Sequence, residues 1–276
     1  MAAPEAWHVT RTMRTLELLA LRQRSAVEVA NALGVHPRTA RRLLNRLLVE
    51  GYVTRTGSHR RKYGITTRIV AVAGRALEES ELVRRAAPFV DRLRDEAAAT
   101  ARLSVASFRS ALPLVEEPSV GQEGMARAQL GVRVPCHASA EGKVLMAFRP
   151  RWCESVLSRA LDPHTQRTLV DVDAMHAHLD EVRRRGYAIE DGEHIDGVGS
   201  IAAPVFDHTG EAVAALGIVV ASDRLVGDAA RLAALTVLAA RGLSDALGFV
   251  QGANAPDEGL SAAVLEMVPA ARSYAA

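Results

Sequence analysis

The period of the apolar positions changes along the chain, and the elements follow from it. From residue 9 to residue 50 they recur at helical spacing. Met13, Leu16, Leu19 and Ala20 predict a first helix over about 9–23. Ala26, Val29, Ala30 and Leu33 predict a short second one, opened by Ser25 and Glu28 in capping-box spacing. Ala40, Leu43, Leu44, Leu47 and Leu48 form the apolar stripe of a third helix, started by Pro37 and stopped at Gly51. The Gly34-Val35-His36 turn between the second and third is helix-turn-helix grammar. Segments 52–55 and 62–65 are strand-like around a turn-rich loop, which adds a wing.

A broad apolar stripe through Ile69, Val72, Ala73, Ala76 and Leu77 predicts a linker helix over 66–80, capped by Thr66 or Thr67, whose breadth points to packing against a second copy, although packing on its own domain would give the same pattern. A helical stretch follows over 81–98, interrupted or restarted at Pro88. The pattern then turns to alternation at 103–108, 112–117 and 129–134. Ser139 caps a helix running to Phe148, with further helices near 151–160 and 173–185 and a strand at 187–190. Strands 200–206 and 212–221 flank an Asp-x-x-Gly turn as a hairpin, and a helix over 224–249 closes the region. Mixed strands and helices of this kind predict an α+β fold with an antiparallel sheet. Residues 1–8 read as a loose leader, and 250–276 as a flexible tail in which Leu260, Val264, Leu265 and Val268 form at most one short helix.

Charge sharpens the picture. Residues 8–68 hold 13 Arg or Lys against 3 acids, a net +10 in a chain whose total is +2, leaving −8 for the rest. An asymmetry of that size points to nucleic acid. Opposite the apolar stripe of the third helix lie Arg38, Arg42 and Asn45, flanked by Arg41 and Arg46. Because a helix in the major groove reads bases with its N-terminal half, Arg38, Thr39 and Arg42 are the leading base contacts, then Arg41, Asn45 and Arg46. Arg55, Arg60, Arg61 and Lys62 on the wing supply phosphate or minor-groove contacts, and Ser25 completes the set.

Composition limits the alternatives. At 276 residues and 49% apolar content, two domains are expected. The longest apolar run, 212–221, falls well below the roughly 20 residues of a membrane span. With no signal peptide at the N-terminus, a cytoplasmic location is expected. Cys136 and Cys153 are expected to be reduced. Cys136-His137 suggests a nucleophile and base, but adjacent strand residues face opposite ways. His164, His176, His178 and His194 lack the spacing of a metal site, so no cofactor or metal is expected.

Two longer motifs are more specific. Val134-Pro-Cys-His-Ala-Ser-Ala-Glu-Gly-Lys143 and Gly197-Val-Gly-Ser-Ile-Ala-Ala-Pro-Val-Phe-Asp207 resemble the IclR family of bacterial transcriptional regulators, as does Pro37-Arg-Thr-Ala-Arg-Arg-Leu-Leu44 followed by Gly51-Tyr52-Val53 and Lys62-Tyr63. The resemblance covers about 10–249. It implies a winged helix-turn-helix DNA-binding domain at 8–65, a dimerisation helix at 66–80 and a GAF-like effector domain with an antiparallel sheet at 81–249. Its implied partners are double-stranded operator DNA, a small organic or aromatic acid as effector, and further copies of the chain in a homodimer or homotetramer. Carried over by position, the effector pocket is Ser139, Ala140, Glu141, Gly142, Glu190, Asp191, Ser200, Gly217 and Val219. Exposed amides at the helix start would bind a carboxylate, and the small residues would let a ligand reach the backbone. Gly217 and Val219 offer no hydroxyl and Glu141 adds a negative charge, so an effector larger and less acidic than glyoxylate or pyruvate is expected. The rival readings are a constitutive DNA-binding regulator with no ligand, and an enzyme using Cys136.

Overall fold

The computed structural model describes residues 4–56, 61–119 and 133–250, with residues 4–8 as backbone only. The chain forms two compact units, residues 1–79 and 80–276.

The first unit contains α1 (Pro4–Leu21), β1 (Arg24–Ser25), α2 (Ala26–Leu33), α3 (Pro37–Val49), β2 (Val53–Thr56), β3 (Lys62–Ile65) and α4 (Thr67–Glu79). The capping box is present: the Ser25 hydroxyl accepts from Glu28 N–H, and Ser25 N–H donates to the Glu28 carboxylate at 2.7 Å. Gly34 ends α2 in the left-handed conformation, at φ 61°, which a side chain rarely adopts. Leu19, Val29, Ala30, Ala40, Leu44, Leu47, Val53 and Tyr63 share one core. That core is what leaves the arginines of α3 on the outside.

Three features depart from the sequence reading. The first helix begins at Pro4, inside the stretch read as a leader. It turns Thr15 and Leu19 inward, not Met13 and Ala20. Thr15 is tolerated there because its hydroxyl donates to the Arg11 carbonyl at 2.7 Å. The third is β1, too short for any pattern to reveal, which pairs with β3 and makes the sheet three-stranded in the order β1-β3-β2.

The second unit contains α5 (Glu81–Ala97), β4 (Thr100–Ser107), β5 (Ser110–Glu117), β6 (Val134–Pro135), α6 (Ala140–Phe148), α7 (Pro150–Leu157), α8 (Val172–Arg185), β7 (Ala188–Asp191), β8 (Val198–Phe206), β9 (Ala212–Ala221) and α9 (Ser222–Ala246). Contrary to expectation, α5 runs through Pro88 without a break. Pro88 itself is exposed, while Ala86, Val90, Leu93 and Ala97 bury one face and Ser80 caps the start. Burial along that stripe outweighs the one hydrogen bond that proline removes.

The sheet is antiparallel throughout, in the order β6-β5-β4-β9-β8-β7. One face carries Ala101, Leu103, Ile201, Leu216 and Ile218 against α5 and α9. On the other, Ala188, Ala202 and Ala215 meet α6 and α8. Side chains alternate across a strand, so Thr100, Arg102 and Ser104 share this second face with their cross-strand neighbours Val219, Gly217 and Ala215. Buried polar residues therefore concentrate between the sheet and α6. The loop part of the wing including Arg60, most of the third alternating stretch (129–132) and the tail beyond 250 lie outside the described residues.

Candidate functional site

On the first unit, the residues read as nucleic-acid contacts gather around α3. Arg38, Arg41, Arg42, Asn45 and Arg46 are exposed, and Thr39 is half-buried. His36 caps the helix, its Nδ1 accepting from Arg38 N–H at 3.2 Å, a role the sequence reading did not assign. A broad groove of about 920 Å³ runs past Thr12, His36, Arg38, Thr39, Arg42 and Arg46, with Glu50 the single acid among the described residues lining it. A second cleft of about 370 Å³ joins Ser25, Arg41, Asn45, Arg55 and Arg61. Arg41 and Asn45 line both. Arg55 sits over the Tyr63 ring at 5.5 Å, which directs it along the wing. Lys62 is exposed but lines neither cleft, and the hydroxyl of Ser25 is committed to its helix cap.

Among the described residues, Arg38, Arg41, Arg42, Arg46 and Arg61 have no carboxylate partner. The second unit treats arginine differently. Arg92 pairs with Glu96, Arg149 with Glu211, Arg167 with Asp191 and Arg231 with Asp228. Around α3 the cations thus stand without acids, whereas these four in the second unit each have one. An open cationic surface around a helix that fits a major groove is suited to a polyanion.

On the second unit, part of the expected pocket assembles into one hydrogen-bonded chain. The Ala140 N–H donates to the Ser200 hydroxyl at 3.2 Å, and that hydroxyl donates to Glu190 Oε2 at 2.8 Å. Glu190 Oε1 accepts from the N–H groups of Glu193 and His194. Burial nonetheless pushes the Glu190 carboxyl up to about 7. Ser139 caps α6 by accepting from Gly142 N–H, and its own hydroxyl donates to Pro135. Gly217 and Val219 lie beside Ala202 and Ser200 on the same sheet face. Asp191 stands apart from that chain, paired with Arg167 at 2.9 Å.

The start of α6 differs from expectation in two respects. Glu141 is no uncompensated charge: it is fully buried and pairs with Arg102 of β4, a residue the sequence reading passed over. Its only sequence signal was a base two positions before Ser104, on the polar face of a strand that begins earlier than expected. The amides of Ala140 and Gly142 are also not open to a carboxylate, since side chains already hold them. Gly142 is small because a Cβ would overlap the Cys136 backbone, and Gly217 because a Cβ would crowd the Ile201 carbonyl. Packing, rather than ligand approach, accounts for both glycines.

The surroundings are charged but paired. Lys143, fully buried, meets Glu193, and burial lowers its pKa. Burial pulls on Arg102 too, but Glu141, Glu116 and Glu190 outweigh it and keep it cationic. Glu116 lies opposite Arg102 on β5, and burial raises its pKa. His164 lies between His137 and His194, tilted against the first at 5.5 Å between centroids and edge-on to the second at 5.3 Å. Burial pushes His194 down to about 4 and lowers His137, whose Nε2–H donates to the Asp162 carbonyl. Thr165 and Thr168 donate to the carbonyls of Gly192 and Glu193, which ties this loop to the one after β7. Among the described residues no His, Cys, Asp or Glu cluster is arranged to hold a metal ion. Cys136 is buried with its thiol pushed up to about 12, unsuited to nucleophilic attack at neutral pH. No described helix is long and apolar enough to cross a membrane.

Comparison with known proteins adds to this geometry. The family model described as bacterial transcriptional regulator IclR C-terminal matches residues 74–245, and the IclR helix-turn-helix domain matches 8–57. The DNA-binding transcriptional repressor YiaJ of Escherichia coli is 33% identical over 223 residues, covering 78% of each chain. The regulator BhcR of Paracoccus denitrificans is 32% identical over 240 residues, covering 85% of each. Among solved structures, a regulator from Alicyclobacillus acidocaldarius superposes with TM-score 0.75 at 23% identity, over 90% of this chain and 98% of that one. A homologue from Microbacterium hydrocarbonoxydans complexed with 4-hydroxybenzoate gives 0.70 at 24%, over 87% and 98%.

Proposed function

The chain belongs to the IclR family of bacterial transcriptional regulators, and from that premise we propose how it reads DNA and what changes the reading. It is a DNA-binding regulator and not an enzyme. In our reading α3 enters the major groove, with Arg38, Thr39 and Arg42 at base edges and Arg41, Asn45 and Arg46 behind them. Arg55, Arg60, Arg61 and Lys62 hold the backbone along the wing. The observation that carries this is the clustering of exposed arginines on α3: Arg38, Arg41, Arg42 and Arg46 face one groove with no carboxylate partner among the described residues, whereas Arg92, Arg149, Arg167 and Arg231 of the second unit each have one. The apolar side chains of α4 support a homodimer or homotetramer, since α4 buries no residue and leaves Val70 and Val72 exposed. Two copies would present two α3 helices to a twofold operator, in the cytoplasm where the DNA is.

The second unit is read as the sensor, taking a small organic effector between the sheet and α6. The buried polar layer there supports it, and so does the 4-hydroxybenzoate held by the Microbacterium homologue of the same fold. An effector that favours one arrangement of the two DNA-reading units changes operator affinity by its differential binding energy. The test of the DNA reading is a base-by-base operator scan with Arg42→Ala and Lys62→Ala. Arg42→Ala is expected to lose about 1–3 kcal/mol of discrimination at one base pair. Lys62→Ala is expected to weaken all sequences alike. Uniform weakening by both would remove α3 from the base-reading role.

A further inference from the structure

The polar layer between the sheet and α6 contains more acceptors than its neighbours satisfy. Glu141 is fully buried, yet its Oε2 has no hydrogen-bond partner among the described residues. The buried Oε2 atoms of the half-buried Glu116 and Glu193 and the fully buried hydroxyl of Ser104 likewise have no partner among the described residues. All but one of these atoms are carboxylate oxygens, which only accept. Buried acceptors left without donors are costly, and a ligand that brings donors removes that cost.

The cations nearby are already committed, Arg102 to Glu141 and Lys143 to Glu193. Each pair is neutral in itself. Burial draws Glu116 and Glu190 toward their neutral acids and His137 and His194 toward neutral imidazole. A carboxylate entering beside Glu141 would meet a guanidinium already paired and carboxylate oxygens that repel it, while the buried Arg185 Nη2, without a hydrogen-bond partner among the described residues, belongs to the Lys143 and His178 side. A molecule with several hydroxyl groups and no charge would bring the missing donors and leave the balance unchanged.

Building on the sensor reading of the second unit, we infer that the effector is an uncharged polyhydroxy compound, a polyol or sugar. Its hydroxyls donate to Glu141 Oε2 and meet Ser104, and the Arg102–Glu141 pair acts as the selector against acids. Arg102 positions Glu141 and denies its own charge to an anionic ligand. The same pair makes the selectivity reversible, since neutralising Glu141 releases Arg102.

The experiment titrates the full-length protein calorimetrically with matched neutral and acidic probes, glycerol against glycerate and D-ribose against D-ribonate, with 4-hydroxybenzoate as an aromatic acid. Operator binding is recorded on the same preparations. The wild type is expected to bind a neutral member at least tenfold more tightly than its acid. Glu141→Gln is expected to reverse that order, and Ser104→Ala, which leaves every charge in place, to weaken the neutral probe about tenfold without gain of the acid. A wild type that prefers an acid, or binds no probe while binding its operator specifically, overturns the polyhydroxy assignment and leaves the DNA reading standing. Loss of specific operator binding in the wild type would instead strike the regulator reading beneath it.

Discussion

One half-buried imidazole shows how a residue of the second unit responds to pH. Burial pushes His178 on α8 down to about 4, with Lys143 and Arg185 adding repulsion, and its Nε2 has no partner among the described residues. Its folded value lies below the ordinary 6.5, so the unfolded chain takes up the proton first on acidification. Stability from this residue is present above about 6.5 and lost as pH falls toward 4. His194 has the same sign and window. Glu190 opposes them: raised to about 7, it favours the folded state as pH falls from 7 toward its ordinary 4.5. Among these three groups the two histidines outweigh Glu190, so together they lose stability as pH falls through the shared range. His178→Gln is expected to shift acid unfolding, followed by circular dichroism, to lower pH, and an unchanged acid limb would contradict the shift. At this scale the sequence was least informative. Arg38 and Arg42 were legible because solvent exposure follows from helical spacing alone. Arg102 and its pairing with Glu141 were not, because the two lie 39 positions apart and meet only once β4 and α6 pack.

At the scale of elements, helical stripes and strand alternation carried most of the fold, and the misses share a cause. The two-residue β1 has no period to detect, and α5 survives Pro88 because tertiary burial outweighs local propensity. Gly142 is the element-level residue whose role changed most. Read as an opening for ligand, it is the point where α6 presses on the Cys136 backbone. Gly142→Ala is therefore expected to destabilise the second unit by about 3 kcal/mol or more in chemical denaturation, through overpacking with no flexible atom to yield. A denaturation midpoint equal to the wild type would mean that α6 moves freely, and that its start is more open than the packing indicates.

For the whole molecule, charge and chemistry divide between the units. One holds a net excess of cations on an exposed surface, and the other buries two ion pairs, Arg102–Glu141 and Lys143–Glu193, in a polar layer. That division was visible in the sequence as charge asymmetry, while the neutral balance of the second unit depended on contacts that the sequence does not show. In the proposed reading one unit binds DNA through open cations and the other adjusts that binding for a small molecule. Its most direct test is binding of the full-length protein to DNA from its own genomic neighbourhood, over a salt series, with and without the neutral and acidic probes. Specific binding is expected to fall steeply with salt, with a slope reduced by about 1 for each phosphate-contacting arginine removed per DNA-reading unit, and its affinity to be altered by one neutral probe. Binding that ignores sequence and every probe would contradict it, leaving a basic surface with no sensor attached.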